Sequence, residues 1–299
     1  MAEWKPSAAV IKRLVKFAPE RSIPKLSAKT MRELVEALTK EQKNIRVKKP
    51  KGEVLLFADE FTDQQEAELG LTFAQLLMQL GYRVMIPKHA ESGRAAISKG
   101  CLKRAKKIAY DNVAMMGIIV SEKHPLIGIE PSAILTFRDE YPDLVPAEWR
   151  ENAIELGKNC LLYDEFLVKE MKAGRISADD FKTDEMEIWL HGHCHQKALV
   201  GIDKTVEMLN LLKGAKVHVI PSGCCGMAGS FGYEKEHYKT SLEIGEMVLF
   251  PAVRKAVAQP VGHPTFVAAP GTSCRQQIYD GTGVKAVHPL EILAKFLRS

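Results

Sequence analysis

One order of elements, strand, loop, helix, strand, occurs twice along this chain, and that repetition constrains the fold more tightly than any single motif. Val54-Leu55-Leu56-Phe57 is an apolar run with turn-like flanks and reads as a buried strand. The loop ADEFTD (58–63), an amphipathic helix from about Gln64 to Leu80 and a strand from Tyr82 to Ile86 follow it. The order returns as a strand at Glu187 to Leu190, the loop HGHCHQ (191–196), a helix at Ile202 to Leu212 and a strand at Lys216 to Ile220. Strands alternating with helices of this length predict parallel sheets covered on their faces.

The two copies align residue by residue. GYRVMIP (81–87) falls on GAKVHVIP (214–221), and each is followed by small residues, HAESGRAAISKG in the first copy and SGCCGMAGSFGY in the second. Thirty residues lie between Glu60 and Glu91, and twenty-nine between Cys194 and Cys224. Farther on, GIEPSAILTFRDE (128–140) parallels APGTSCRQQIYD (269–280) and sets Ala133 opposite Cys274. The expected fold is therefore α/β: two related, doubly wound parallel-sheet units of Rossmann or flavodoxin type in pseudo-twofold arrangement. The expected division is a helical arm and linker at 1–50, a first unit at 51–150 and a second at 151–299. Within the arm, Ser7 to Phe17 has helical periodicity, Pro19 and Pro24 interrupt it, and Ser27 or Thr30 can cap a helix running to about Lys43.

Composition narrows the class. The 299 residues are 46% hydrophobic and 26% charged, the balance of a globular protein with ample material for a core. The N-terminus lacks the apolar stretch of a secretory signal, and no run approaches the ~20 apolar residues of a transmembrane helix. A reducing cytoplasm is the expected compartment, where clustered cysteines read as metal or redox groups rather than a disulfide framework. The net charge of +5 is spread along the chain, and its densest blocks, 46–51 and 103–107, read as solvated faces, so no nucleic-acid partner is expected. There is no Walker loop, GxGxxG or HExxH.

Of the six cysteines, Cys194, Cys224, Cys225 and Cys274 fall within 81 residues, each in or next to a loop leaving an expected strand. Such loops form the ligand crevice of an open parallel sheet. Adjacent Cys224 and Cys225 can face one centre only from an irregular loop, which Gly223, Gly226 and Gly229 allow, and those glycines also let backbone N–H groups approach sulfur. Cys101 and Cys160 read as ordinary buried thiols in helical surroundings. His191, His193 and His195 would share one face of an extended segment with Cys194 on the other, and so bond loops or sulfurs, unless one completes a zinc site or relays protons. Arg275 either offsets thiolate charge or pairs with a carboxylate such as Asp280. A helix over Tyr233 to Phe250, with Tyr238, Leu242, Met247 and Leu249 as core positions, would aim its amino end at the cysteines. Gly93-Arg94 takes the place of the second copy's cysteine loop and offers an anion pocket.

HGHCHQKAL (191–199), SGCCGMAGSFGYE (222–234), GTSCRQQI (271–278) and His288-Pro289 closely resemble the CCG-domain family. This is the cysteine-rich module found in heterodisulfide reductase, in glycolate oxidase iron–sulfur subunits and in the carboxyl-terminal region of FAD-linked D-2-hydroxyacid dehydrogenases. The likeness covers roughly 15–299. It implies a cluster held by Cys194, Cys224, Cys225 and Cys274, with Gly223, Gly226, His193, His195 and Arg275 around it. Gly271 replaces the first cysteine of the family's terminal CxxC. The four remaining thiolates suit a conventional 4Fe-4S cluster better than a five-cysteine noncubane one. The first unit has no motif cysteine, so it should bind no cluster and serve as scaffold or docking surface.

The family's long members carry an FAD-binding segment and CxxCxxCxxxCP ferredoxin motifs, absent here, so the chain reads as a fragment or separate subunit. Alone it has no group to accept hydride. The implied role is electron transfer within an FAD-linked oxidoreductase of lactate, glycolate or 2-hydroxyglutarate. Its partners would be FAD-binding and ferredoxin-type domains or subunits, and peripheral membrane association of that complex is compatible with this role. The alternatives are a structural zinc site on the same thiolates and a vestigial docking module.

Overall fold

Period-two alternation along the strands decides which side chains meet in the core. We describe the protein from a computed structural model, over residues 10, 12–42, 50–258 and 262–298. Among these, seven strands form: β1 (Gly52–Leu56), β2 (Tyr82–Met85), β3 (Leu126–Gly128), β4 (Cys160–Leu162), β5 (Met186–Leu190), β6 (Ala215–Val219) and β7 (Thr265–Ala268). They build two sheets, ordered β2-β1-β3-β4 and β6-β5-β7, with every pairing parallel. Val54 and Leu56 face a core shared with Met186, Ile188 and Leu190, whereas Leu55 and Phe57 face a second core on the opposite side of the first sheet. Burial on both faces is why these strands are nearly continuous apolar runs.

The duplicated order read from the sequence recurs in the strands. In each sheet the first strand is central, its successor lies on one side and the third strand on the other. Gly81 and Gly214, which open the two aligned segments, both have φ +95°, a left-handed geometry that favours glycine. The first sheet draws β4 from beyond residue 150, and Val287 forms a single parallel bridge to Ala268 as a one-residue counterpart in the second.

Packing between the sheets is reciprocal. The helix Ala67–Gln79, which follows β1, packs on Pro289–Phe296, and Asp203–Leu209, which follows β5, packs on Tyr163–Lys172. Phe73 and Leu77 thereby share one core with Leu290 and Phe296, as Leu167 does with Met208 and Leu209. Deleting a buried ring such as Phe73 would cost about 3–5 kcal/mol.

Several expectations are corrected. The arm is not an appendage, because Met31 and Val35 of the helix Met31–Gln42 are buried in that central core. Thr30 caps this helix: its Oγ accepts the Glu33 N–H at 3.2 Å, and the Glu33 carboxylate accepts the Thr30 N–H at 2.7 Å. Of the helix read over 7–17, residues 10 and 12–14 are helical, while 1–9 and 11 lie outside the described residues. Basic residues 46–49 also lie outside them.

The single helix expected over 233–250 is two, Tyr238–Met247 and Leu249–Ala258, because Pro251 cannot continue a helix through the preceding turn. Met247, expected in the core, is 77% exposed at the break. Cys101 is exposed at the start of the helix Leu102–Met116, and Cys160 lies buried in β4, where its Sγ reaches the Leu156 carbonyl at 3.3 Å. No helix among the described residues is long and apolar enough to cross a membrane.

Candidate metal centre

All four clustered cysteines meet beyond the carboxyl ends of β5, β6 and β7. Cys194 opens the helix Cys194–Leu199, Cys224 and Cys225 occupy the loop after β6, and Cys274 lies in the first turn of the helix Thr272–Thr282. The Cys194 thiol lies beside that of Cys224, and Cys225 lies beside both Cys224 and Cys274. Exposure falls in the same order: Cys194 is exposed, Cys224 half-buried, and Cys225 and Cys274 buried.

This chain of contacts sets the protonation states. Its neighbours Cys194 and Cys225 hold Cys224 well below the ordinary thiol range, helped by the Gly226 N–H at 3.3 Å from its Sγ. Cys274 is lowered by Cys225 first and by the neighbouring His191 and His193. Cys194 is raised by its neighbour Cys224. Thiolate is the metal-binding form of cysteine, and the thiols of Cys224 and Cys274 are both shifted towards it.

Local structure explains the convergence. Gly226, at φ +97°, approaches the Ser241 carbonyl so closely that a Cβ would lie 2.3 Å from its oxygen. Lys197 Nζ donates to the carbonyls of Ser222 and Gly223, both at 2.5 Å, which ties the cysteine loop to the Cys194 helix. The extended segment ends at His193, whose side chain accepts the His195 N–H at 3.2 Å as the helix cap. That turn corrects the one-face expectation for the histidines. His191 is brought to the thiols, one ring nitrogen sharing a 4.8 Å neighbourhood with the sulfurs of Cys225 and Cys274. His195 instead faces Asp139 at 3.4 Å.

Gly271 stands beside Cys274, and a Cβ there would meet His193 Cδ2 at 2.4 Å and the Cys274 Sγ at 3.2 Å. The His193 ring thus fills the space a cysteine at 271 would enter. Arg275 pairs with Glu66 at 2.5 Å and donates to the Ala269 and Pro270 carbonyls, while Asp280 is taken by Arg21 and Ser22.

The aligned positions of the first copy are closed by hydrogen bonds. The Glu60 carboxylate accepts the Ser92 hydroxyl at 2.7 Å and the Ser92 N–H at 2.8 Å. Arg94 beside them is neutralised by Glu140, so its charge is already spent within the pocket expected there. Sequence reasoning passed over Lys197, Ser222 and Glu130, which hold the site through backbone and ring contacts that leave no motif.

No protein-family model and no solved structure matches the chain. It is 27% identical over 285 residues to D-2-hydroxyglutarate dehydrogenase of Escherichia coli, an alignment covering 94% of this chain and 26% of that protein. With the D-2-hydroxyglutarate dehydrogenase of Pantoea ananatis it shares 30% identity over 248 residues, 82% of the chain and 22% of the relative. With a subunit of the anaerobic glycerol-3-phosphate dehydrogenase of Escherichia coli it shares 26% over 295 residues, 98% of this chain and 70% of the relative. The chain therefore spans about a quarter of the D-2-hydroxyglutarate dehydrogenases it matches and over two thirds of a subunit of another dehydrogenase.

Proposed function

We propose that this chain is the iron–sulfur electron-transfer module of an FAD-linked oxidoreductase acting on a D-2-hydroxyacid such as lactate, glycolate or 2-hydroxyglutarate. Cys194, Cys224, Cys225 and Cys274 would hold a [4Fe–4S] cluster. The observation that carries this reading is the meeting of four thiols, two of them predisposed to ionise, at the carboxyl ends of three parallel strands. The donor set fits the group, since thiolates are the usual ligands of such clusters and the Gly226 N–H already points at one of them. The dehydrogenase relatives support a place in an oxidoreductase, and the reciprocal helix packing supports two doubly wound units in pseudo-twofold arrangement.

When bound, the cluster supplies one-electron exchange with a flavin or a further carrier. The residues of this chain hold and shield it: Lys197 and Gly226 fix the cysteine loop, and Cys225 and Cys274 close its inner side to water. FAD and ferredoxin-type centres would sit on partner domains or subunits, in the cytoplasm, and the first unit would serve as scaffold.

Anaerobic purification followed by iron, sulfide and zinc analysis tests the reading. About four iron and four sulfide per chain are expected. A colourless protein without iron after reconstitution overturns it.

A second reading, a structural zinc ion, is favoured by one distance. Ligand atoms of His191, Cys225 and Cys274 lie within 4.8 Å of one another, compact enough for one ion with Zn–S bonds of ~2.3 Å. Equimolar zinc and no iron in anaerobic preparations would establish it.

A further inference from the structure

His191 is fully buried, and its Nε2 has no hydrogen-bond partner. A buried imidazole nitrogen left without a hydrogen bond carries a desolvation penalty unless something occupies it. Its other nitrogen, Nδ1, is engaged by the Ser222 Oγ at 2.6 Å. A metal-bound histidine characteristically donates its second ring N–H to an oxygen, which fixes the tautomer and frees the remaining lone pair. The ring stands at the deep end of the thiol chain, near Cys225 and Cys274 and away from exposed Cys194. Gly271, the position that would have added a fifth sulfur, offers no donor.

We propose that His191 is a direct metal ligand through Nε2, held in the required tautomer by Ser222, so that the site offers four sulfurs and one nitrogen. The inference rests on the reading of these thiols as a metal centre and adds a residue to it. A neutral imidazole in the place of a fifth thiolate leaves the bound group less negative than five sulfurs would, and histidine in place of cysteine raises a cluster's reduction potential.

The test uses the full chain labelled with ¹⁵N-histidine, purified and reconstituted anaerobically, with metal content measured alongside pulsed EPR of the reduced protein. If zinc is the bound metal, X-ray absorption replaces EPR. The expected result is one directly bound ¹⁵N in the wild type, absent in His191→Ala. Ser222→Ala should keep the nitrogen signal while metal affinity falls about 10–100-fold. Should His191→Ala not fold, His191→Gln, of similar length, carries the same comparison.

A metal-loaded wild type without a bound nitrogen, or a variant with unchanged spectrum and metal content, overturns the inference and leaves the four-cysteine reading standing. A wild type that takes up no metal overturns both.

Discussion

Glu130 reaches across 142 residues of sequence to accept the backbone N–H of Thr272 at 2.8 Å. Its other carboxylate oxygen accepts the N–H of Ser132 at 3.3 Å and the Ser132 hydroxyl at 2.8 Å. One buried carboxylate thus caps Pro131–Ile134 in the first half and Thr272–Thr282, the helix of Cys274, in the second. The two cap positions, Glu130 and Gly271, are also aligned partners in the repeat.

Glu130→Ala should therefore cost about 2–4 kcal/mol, since it orphans donors on both helices at once. Urea denaturation gives the stability loss directly. Glu130→Gln, which keeps an acceptor, should lose clearly less, and equal losses would argue against the shared cap.

Gly271→Cys, although it restores a CxxC spacing, should destabilise the protein and add no bound iron, because the new Cβ collides with the His193 ring. Combining it with His193→Ala should recover stability. Thermal melts and iron analysis of the single and double variants check this, and a stable single variant with higher iron content would contradict it.

Arg21 is completely buried and bonds to the Gly232 carbonyl at 2.7 Å, Ser241 Oγ at 2.8 Å and Asp280 at 3.1 Å, with its guanidinium over the Tyr238 ring. It fastens the segment after the first arm helix to the cysteine half. Arg21→Ala removes the cation paired with Asp280 and should lower stability by about 3–5 kcal/mol in chemical denaturation.

His89 accepts from the Ala58 N–H at 3.2 Å on Nε2, while its Nδ1 donates to the Ala90 carbonyl at 2.6 Å, an arrangement that requires the neutral ring. Burial, with Arg32 adding repulsion, depresses its pKa from 6.5 to about 4. The unfolded chain therefore binds this proton more readily, so the contribution to stability is complete above pH 6.5 and is lost as pH falls towards 4. At pH 5 the loss is about 2 kcal/mol, from ~1.36 kcal/mol per pH unit below the unfolded pKa. His89→Gln should flatten the pH dependence of the urea midpoint between pH 7.5 and 5, and parallel curves for both proteins would exclude the assignment.

The sequence of strands and helices along the chain, and the strand-end loops that carry Cys194, Cys224, Cys225 and Cys274, were legible because both follow from short-range patterns: apolar runs, turn residues and the aligned glycines 81 and 214. Other features depend on contacts with no local trace. That Cys194 starts a helix, which turns His191 inward and His195 outward, is decided by a cap that overrides a period-two reading of 191–195. Arg275 could not be assigned to Glu66 from spacing, because 209 residues separate them. The arm helix joined the core through Met31 and Val35, apolar residues whose partners lie in a helix beginning at Ala67.

Where one half gathers thiols, the other closes the matching loops with the Glu60–Ser92 pair, so the architecture does not depend on what the loops hold. Caps, glycine turns and helix packing carry the shape, and a few side chains at the strand ends carry the chemistry. Redesign can treat these as separate layers: a donor set could be written into positions 60, 91, 92 and 133 without asking the sheet beneath them to change.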